Sequence, residues 1–211
     1  SPIAPGVFGF TDKTKNYEYN VEKAKELMKE AGYEKGFTTS ILVFSGEANT
    51  QTAEIVQAYL REIGIDLKVE IVETSAYWDI TEKGRHDLFL GSWGVVTGDA
   101  DYGLYAMYHS SAKGGAGNRD FYENKKVDEL LDKAKIEINP ETRKELYEEA
   151  QILIVDDAPD VMLYNRNLSD IKENGRKVME FISIAHGNQK VRAKNSRNEE
   201  DSPKMPVETL K

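Results

Sequence analysis

From residue 20 to residue 93 the apolar residues repeatedly switch spacing, and that switching limits the fold more than any single motif. Val21, Ala24, Leu27, Met28 and Ala31 recur at helical spacing, with Asn20 as N-cap and Gly32 as the glycine beyond the last turn. Phe37 to Phe44 is β-branched and aromatic and stops at Ser45-Gly46, which predicts a strand. Ile55, Val56, Tyr59, Leu60 and Ile63 mark one face of a second helix, closed by Gly64. Ile65, Leu67, Val69 and Ile71 then alternate with polar residues, as in a strand with one buried face. Ala76 to Glu82 predicts a short helix ending at Gly84, and Asp87 to Trp93 a short apolar strand. Helix and strand alternating in this way describe an α/β layer.

The remainder is more broken. Residues Ser1 to Tyr19 read as irregular, punctuated by Pro2, Pro5, Gly6 and Gly9. Gly94 to Gly103 is loop-like, Leu104 to Tyr108 a helical turn, and Lys113 to Gly117 a flexible loop. Val127, Leu130, Leu131, Ala134 and Ile138 form a further helical stripe. Asn139-Pro140 starts a fresh helix, with Leu146, Ala150, Leu153 and Ile154 as its buried face. Asp160 to Tyr164 is the next strand. From Arg192 the chain is charged and poor in large apolar residues, a pattern that predicts disorder.

Composition removes whole classes of function. With 28 basic and 37 acidic residues the net charge is −9, which suits no general nucleic-acid binder, because phosphate binding needs clustered Lys and Arg. The absence of cysteine excludes disulfides, thiolate nucleophiles, zinc–cysteine sites and iron–sulfur clusters. No apolar run approaches the roughly 20 residues that span a bilayer. The chain opens at Ser1-Pro2-Ile3, which reads as processed or as a piece of something longer.

Catalytic and metal motifs are missing. His86, His109 and His186 have no histidine partner at helical metal spacing, and neither HExxH nor GxSxG occurs. The glycines at 113–117 lack the Gly-Lys-Ser/Thr ending of a phosphate loop. Asp99 and Asp101 supply only the beginning of a calcium loop. What stands out is the loop after the strand ending at Trp93. It carries Trp93, Thr97, Asp99, Asp101 and Tyr102, and open α/β sheets bind ligands beyond the carboxyl ends of their strands. Trp and Tyr offer broad rigid faces, and carboxylates suit a cationic group. Two readings stay open here: a ligand loop, or rim aromatics with the aspartates as helix caps.

Several ordered motifs resemble the extracytoplasmic solute-binding proteins that serve peptide ABC transporters. They are Gly6-Val7-Phe8-Gly9; Tyr17-x-Tyr19-Asn20-x-x-Lys23-Ala24-Lys25-x-Leu27; Glu30-Ala31-Gly32-Tyr33; and Ile55-x-Gln57-x-x-Leu60-x-x-Ile63-Gly64-Ile65. Gly84-x-His86-Asp87, Trp93 to Tyr108, and Gly117-Asn118-Arg119-x-Phe121-Tyr122-x-Asn124-x-x-Val127-Asp128-x-Leu130-Leu131 continue the series. It closes with Arg143-x-x-Leu146-Tyr147-x-x-Ala150-Gln151 and Asp157-Ala158-Pro159, so the resemblance covers roughly residues 3 to 165. Thr97 to Tyr105 is most similar to the oligopeptide and glutathione-binding branches.

The resemblance implies the second, C-terminal lobe of a two-lobed protein: α/β, periplasmic binding protein-like (type II), with a mixed sheet flanked by helices. Residues 1–19 would lead in from a missing N-terminal lobe, 20–184 form the lobe, and 185–211 return as a poorly ordered tail. It implies a non-enzymatic component of a peptide (oligopeptide, dipeptide or glutathione-like) importer, with no cofactor and no metal. Its partners would be a small peptide ligand, the transporter's membrane permease and the missing lobe, but no nucleic acid. Its location would be extracytoplasmic, free in the periplasm or lipid-anchored at the cell surface. The alternative within the family is a binder of a nickel complex, haem or an oligosaccharide. Ligand-facing residues would be Trp93, Thr97, Asp99, Asp101, Tyr102, Asn118, Arg119 and Tyr122. Some members hold a peptide amino terminus with an aspartate three residues after the tryptophan; Val96 stands there, a departure that leaves Asp99 or Asp101 as substitutes. Asn118 and Arg119 suit a carboxylate or a peptide backbone, since an amide both donates and accepts and Arg offers a two-pronged fork. A loop-fixing Asn118, an ion-paired Arg119 and a packing Tyr122 are the alternatives.

Overall fold

A computed structural model describes residues 1–167 and 177–184; the expected tail at 185–211, with His186, lies outside the described residues. The elements run α1 (Val21–Glu30), β1 (Phe37–Phe44), α2 (Glu47–Glu62), β2 (Ile65–Val72), α3 (Thr74–Glu82), β3 (Leu88–Val95), α4 (Ala100–Tyr108), α5 (Lys125–Ile136), α6 (Pro140–Asp157), β4 (Asp160–Asn167) and β5 (Lys177–Ile184). Parallel and antiparallel strand pairs both occur, so the α/β reading with a mixed sheet and flanking helices holds. The chain divides into two compact units, and β3 passes from one into the other.

One unit contains Asn16–Thr81 and Arg85–Leu90. β1 lies between β2 and β3, parallel to both, from Phe37↔Ile65 to Phe44↔Val72 on one side and at Ile41↔Leu88 on the other. Ile41, Leu42 and Val43 are buried in consequence, as an apolar run in a central parallel strand should be. Gly36 and Gly64 precede β1 and β2, both at positive φ; a Cβ on Gly36 would sit 1.9 Å from the Gly64 carbonyl oxygen. Asp87 pins the start of β3, accepting from Thr39 Oγ1 at 3.1 Å and Ser40 N at 3.2 Å. Asn20 caps α1 by accepting from Lys23 N. The expected apolar face of α2 is not a buried one: Ile55 and Tyr59 are exposed, and Ala53 is the helix's buried residue. Ile71 at the end of β2 is exposed too.

The other unit gathers Ser1–Lys15, Glu82–Gly84 and the described residues between Gly91 and Ile184. Its core is Leu104, Met107 and Tyr108 of α4, Val127, Leu130, Leu131 and Ala134 of α5, and Tyr147, Ala150 and Ile154 of α6. The first residues are irregular, as expected, but tightly held. Ile3, Ala4 and Val7 are buried, and Gln151 on α6 donates to the Gly9 carbonyl at 2.8 Å. Asn139 caps α6 through Thr142 N, and Ala158 at φ 50 ends it. The face that α6 buries is Tyr147, Ala150, Gln151 and Ile154, so Leu146 and Leu153, expected there, are half-buried. Ile138 is a correction. α5 stops at Ile136 because Glu137 turns extended ahead of the Asn139-Pro140 start, and Ile138 is 94% exposed. α4 is a second correction, a nine-residue helix from Ala100 instead of a single turn from Leu104.

Candidate functional site

The loop between β3 and α4 is built by local chemistry. Gly98 adopts φ 71, where an L side chain is strained, so the chain can reverse after β3. Thr97 Oγ1 accepts from Asp99 N at 3.3 Å, a hydroxyl-closed turn. Asp99, in extended backbone, then caps α4 by accepting from Asp101 N at 2.9 Å. The first segment braces this turn: Phe8 N donates to Gly98 O and Ala100 N to Phe8 O, both at 2.9 Å.

Asp99 is also ion-paired. Arg143 donates from Nη1 to Asp99 Oδ2 at 2.6 Å and from Nη2 to Asp99 Oδ1 at 2.9 Å. The same guanidinium donates from Nε to the Ala134 carbonyl at 3.0 Å and from Nη2 to the Tyr147 hydroxyl at 2.8 Å. It lies over the Phe8 and Tyr147 rings at 5.2 and 5.0 Å. The Asp99 hydrogen bond raises the Arg143 pKa, and burial pushes the Tyr147 phenol up. Asp99 therefore serves the loop's own geometry.

The surface this loop presents is largely apolar and aromatic. Val96, Thr97 and Tyr102 are exposed, Trp93 and Asp101 half-buried. The Trp93 and Tyr102 rings are 5.4 Å apart and tilted by 33°. Trp93 Nε1 and Asp101 Oδ1 are buried atoms that make no hydrogen bond within the described residues.

The second set of expected residues follows α4. Asn118 is fully buried; it donates through Nδ2 to His109 O at 3.2 Å and Tyr122 O at 2.9 Å and accepts from Tyr122 N at 2.9 Å. This ties off the turn in which Gly114 N donates to Asn118 O and Asn118 N to Ala112 O. Tyr122 is buried and its hydroxyl donates to Asp157 Oδ2 at 2.6 Å; burial, helped by that carboxylate, pushes its phenol well up. Arg119 sits between them, half-buried. His109 caps a short 3-10 turn through Ser111 N, stacks on Tyr105 at 4.2 Å and faces Asp132 at 3.4 Å through Nε2. Among the described residues no group of three or more His, Asp or Glu is arranged to hold a metal.

Of the eight expected residues, Trp93 lies near the end of β3, Thr97 and Asp99 on the loop that follows, and Asp101 and Tyr102 in the first turn of α4, so these five are gathered around one strand-to-helix connection. Asn118, Arg119 and Tyr122 form a separate turn whose amide and phenol face inward. Arg143 escaped the sequence reading of the site. Its signal was the i, i+4 spacing to Tyr147, which places both on one face of α6.

The family described as "Bacterial extracellular solute-binding proteins, family 5 Middle" matches residues 1–115. The chain is 28% identical over 166 residues to the dipeptide-binding protein of Escherichia coli K12, covering 76% of this chain and 31% of that protein. It is 30% identical over 164 residues to heme-binding protein A of Haemophilus influenzae, covering 75% and 30%. Among solved structures, the periplasmic binding protein DppA of Helicobacter pylori in complex with peptide STSA superposes with TM-score 0.72 at 34% identity, over 87% of this chain and 34% of that one. The chain spans about a third of the length of these relatives. More than half of its residues lie within the family match, and the chain belongs to the bacterial extracellular solute-binding proteins of family 5.

Proposed function

We propose that this chain is the second lobe of the substrate-binding component of a peptide ABC importer. Residues 1–19 lead in from the first lobe, 20–184 form this lobe, and 185–211 return. The observation that carries the reading is the aromatic pair of Trp93, near the carboxyl end of β3, and Tyr102, in the first turn of α4, flanking a turn tied to Arg143 through Asp99, in a chain similar to a dipeptide-binding protein and to a solved peptide complex. The protein binds and releases; it is not an enzyme. Its affinity comes from two lobes closing over a small peptide, which is then passed to the membrane permease outside the cytoplasm, from a periplasmic or lipid-anchored receptor.

Within the lobe, Trp93, Thr97 and Tyr102 form the ligand-facing platform, with Asp101 at its edge and Arg119 on the neighbouring turn for a carboxylate or backbone carbonyl. Asp99, Asn118 and Tyr122 hold these groups in place. A second reading, haem binding, is favoured by the similarity to heme-binding protein A. His86 and His109 weigh against it as iron ligands, since both are buried.

The test is a paired titration by calorimetry. Enclosure between lobes predicts that the complete protein carrying this chain binds a tetrapeptide such as Ser-Thr-Ser-Ala, while the 211 residues alone bind it weakly or not at all. Sub-micromolar binding by the isolated chain would overturn the two-lobed account.

A further inference from the structure

The Asp99–Arg143 pair touches three stretches of chain at once. Arg143 lies on α6; its partners are Asp99 at the head of α4, the Ala134 carbonyl near the end of α5, and the ring of Phe8 in the first segment. The pair is two-pronged and mostly out of solvent, with side chains 21% and 30% exposed. Such a fork defines both distance and direction, where a lysine would define distance alone. Packing seals the same spot: a Cβ on Gly9 would lie 2.6 Å from Ala100 Cβ and 2.9 Å from the Tyr147 ring. The Asp99–Arg143 contact adds to a backbone frame: Ala100 N donates to Phe8 O at 2.9 Å, bracing the turn Val96–Asp99. Thr97 Oγ1 closes it on itself, and Phe8 N holds it through Gly98 O.

We infer that Arg143 is the positioning residue of the ligand loop: it touches no ligand itself, but through Asp99 it sets where Thr97 and Tyr102 stand and how Tyr102 lies on Trp93. It also occupies both oxygens of Asp99, so that carboxylate is not offered to a cationic ligand group. This inference rests on the proposed binding role of the loop.

The test has one arm that needs no ligand. The chain holds two tryptophans, so in a Trp78→Phe background emission comes from Trp93 alone. Arg143→Leu is expected to shift Trp93 emission and to raise its quenching by acrylamide, and Arg143→Lys to restore part of both. Ile154→Ala, a cavity in the core of the same helix, lowers thermal stability and is expected to leave Trp93 emission unchanged. In the complete protein, Ser-Thr-Ser-Ala and glutathione serve as probes. Arg143→Leu should weaken the probe that binds by about tenfold, as loss of a two-pronged charged contact would, and Arg143→Lys by less. Unchanged Trp93 emission in Arg143→Leu, or an equal change in Ile154→Ala, would overturn the positioning role whatever the ligand. Affinity within twofold of the parent would do the same. If the parent protein binds neither probe, the peptide reading fails, and the fluorescence arm still decides the role of Arg143.

Discussion

Replacing Asn118 by Ala separates a residue that builds the site from one that touches a ligand. Its side chain is fully buried, and the substitution removes three hydrogen bonds, to His109 O, Tyr122 O and Tyr122 N. At about 1 kcal/mol net for each buried bond the loss is about 3 kcal/mol. His109 O keeps the Ala112 N–H at 3.0 Å, so the penalty for unmet groups falls mainly on the Tyr122 side. A total loss of about 3–4 kcal/mol follows, a large share of the roughly 5–15 kcal/mol that holds a typical domain together. Urea denaturation followed by circular dichroism reads it directly. Asn118→Asp sharpens the test, because it keeps the shape but sets a carboxylate against two carbonyls. That variant should be at least as unstable at pH 7 and recover partly as acid protonates the new carboxyl and makes it a donor. A loss below about 1 kcal/mol for Asn118→Ala would refute the loop-fixing role.

Further expectations follow from the same geometry. Gly36→Ala meets both positive φ and the Gly64 carbonyl, so its melting temperature should fall far more than that of Gly115→Ala, where the added Cβ meets nothing. Burial raises the phenol pKa of Tyr108, Tyr122 and Tyr147 above the unfolded value of about 10. Their contribution to stability is therefore whole below about pH 10 and declines as pH rises beyond it, because only the unfolded chain releases those protons. Absorbance titration at 295 nm should find these three of 11 tyrosines silent until the protein unfolds; a single native transition near pH 10 for all would contradict this. Ile138→Ser should change stability by no more than about 0.5 kcal/mol, whereas Ile154→Ala should cost about 2–5 kcal/mol, by thermal denaturation.

What was legible in the chain was what local rules decide. Asn20 and Asn139 announced α1 and α6, and the β-branched run Phe37–Phe44 matched β1 end to end. The failures have long-range causes. α4 was hidden because Gly103 interrupts its pattern; that glycine is needed where a Cβ would meet Ile3 Cδ1 at 2.7 Å, a contact made across about a hundred residues. Asp99 was read as a ligand group or a cap, and its second role depends on Arg143, which stands 44 residues away in the chain. Asn118 and Tyr122 carried two readings each, and only burial separates an amide facing inward from one facing a ligand. The stripe ending in Ile138 continued a helical period past the point where Asn139-Pro140 demanded a new start.

The central claim is that this lobe belongs to a receptor for small peptides. Native mass spectrometry of the complete protein that carries this chain, purified gently and exposed to a mixed peptide pool, tests it most directly. The account predicts a bound mass matching a short peptide or glutathione. A bound haem, metal complex or sugar, or a protein that ignores every peptide offered, would contradict it.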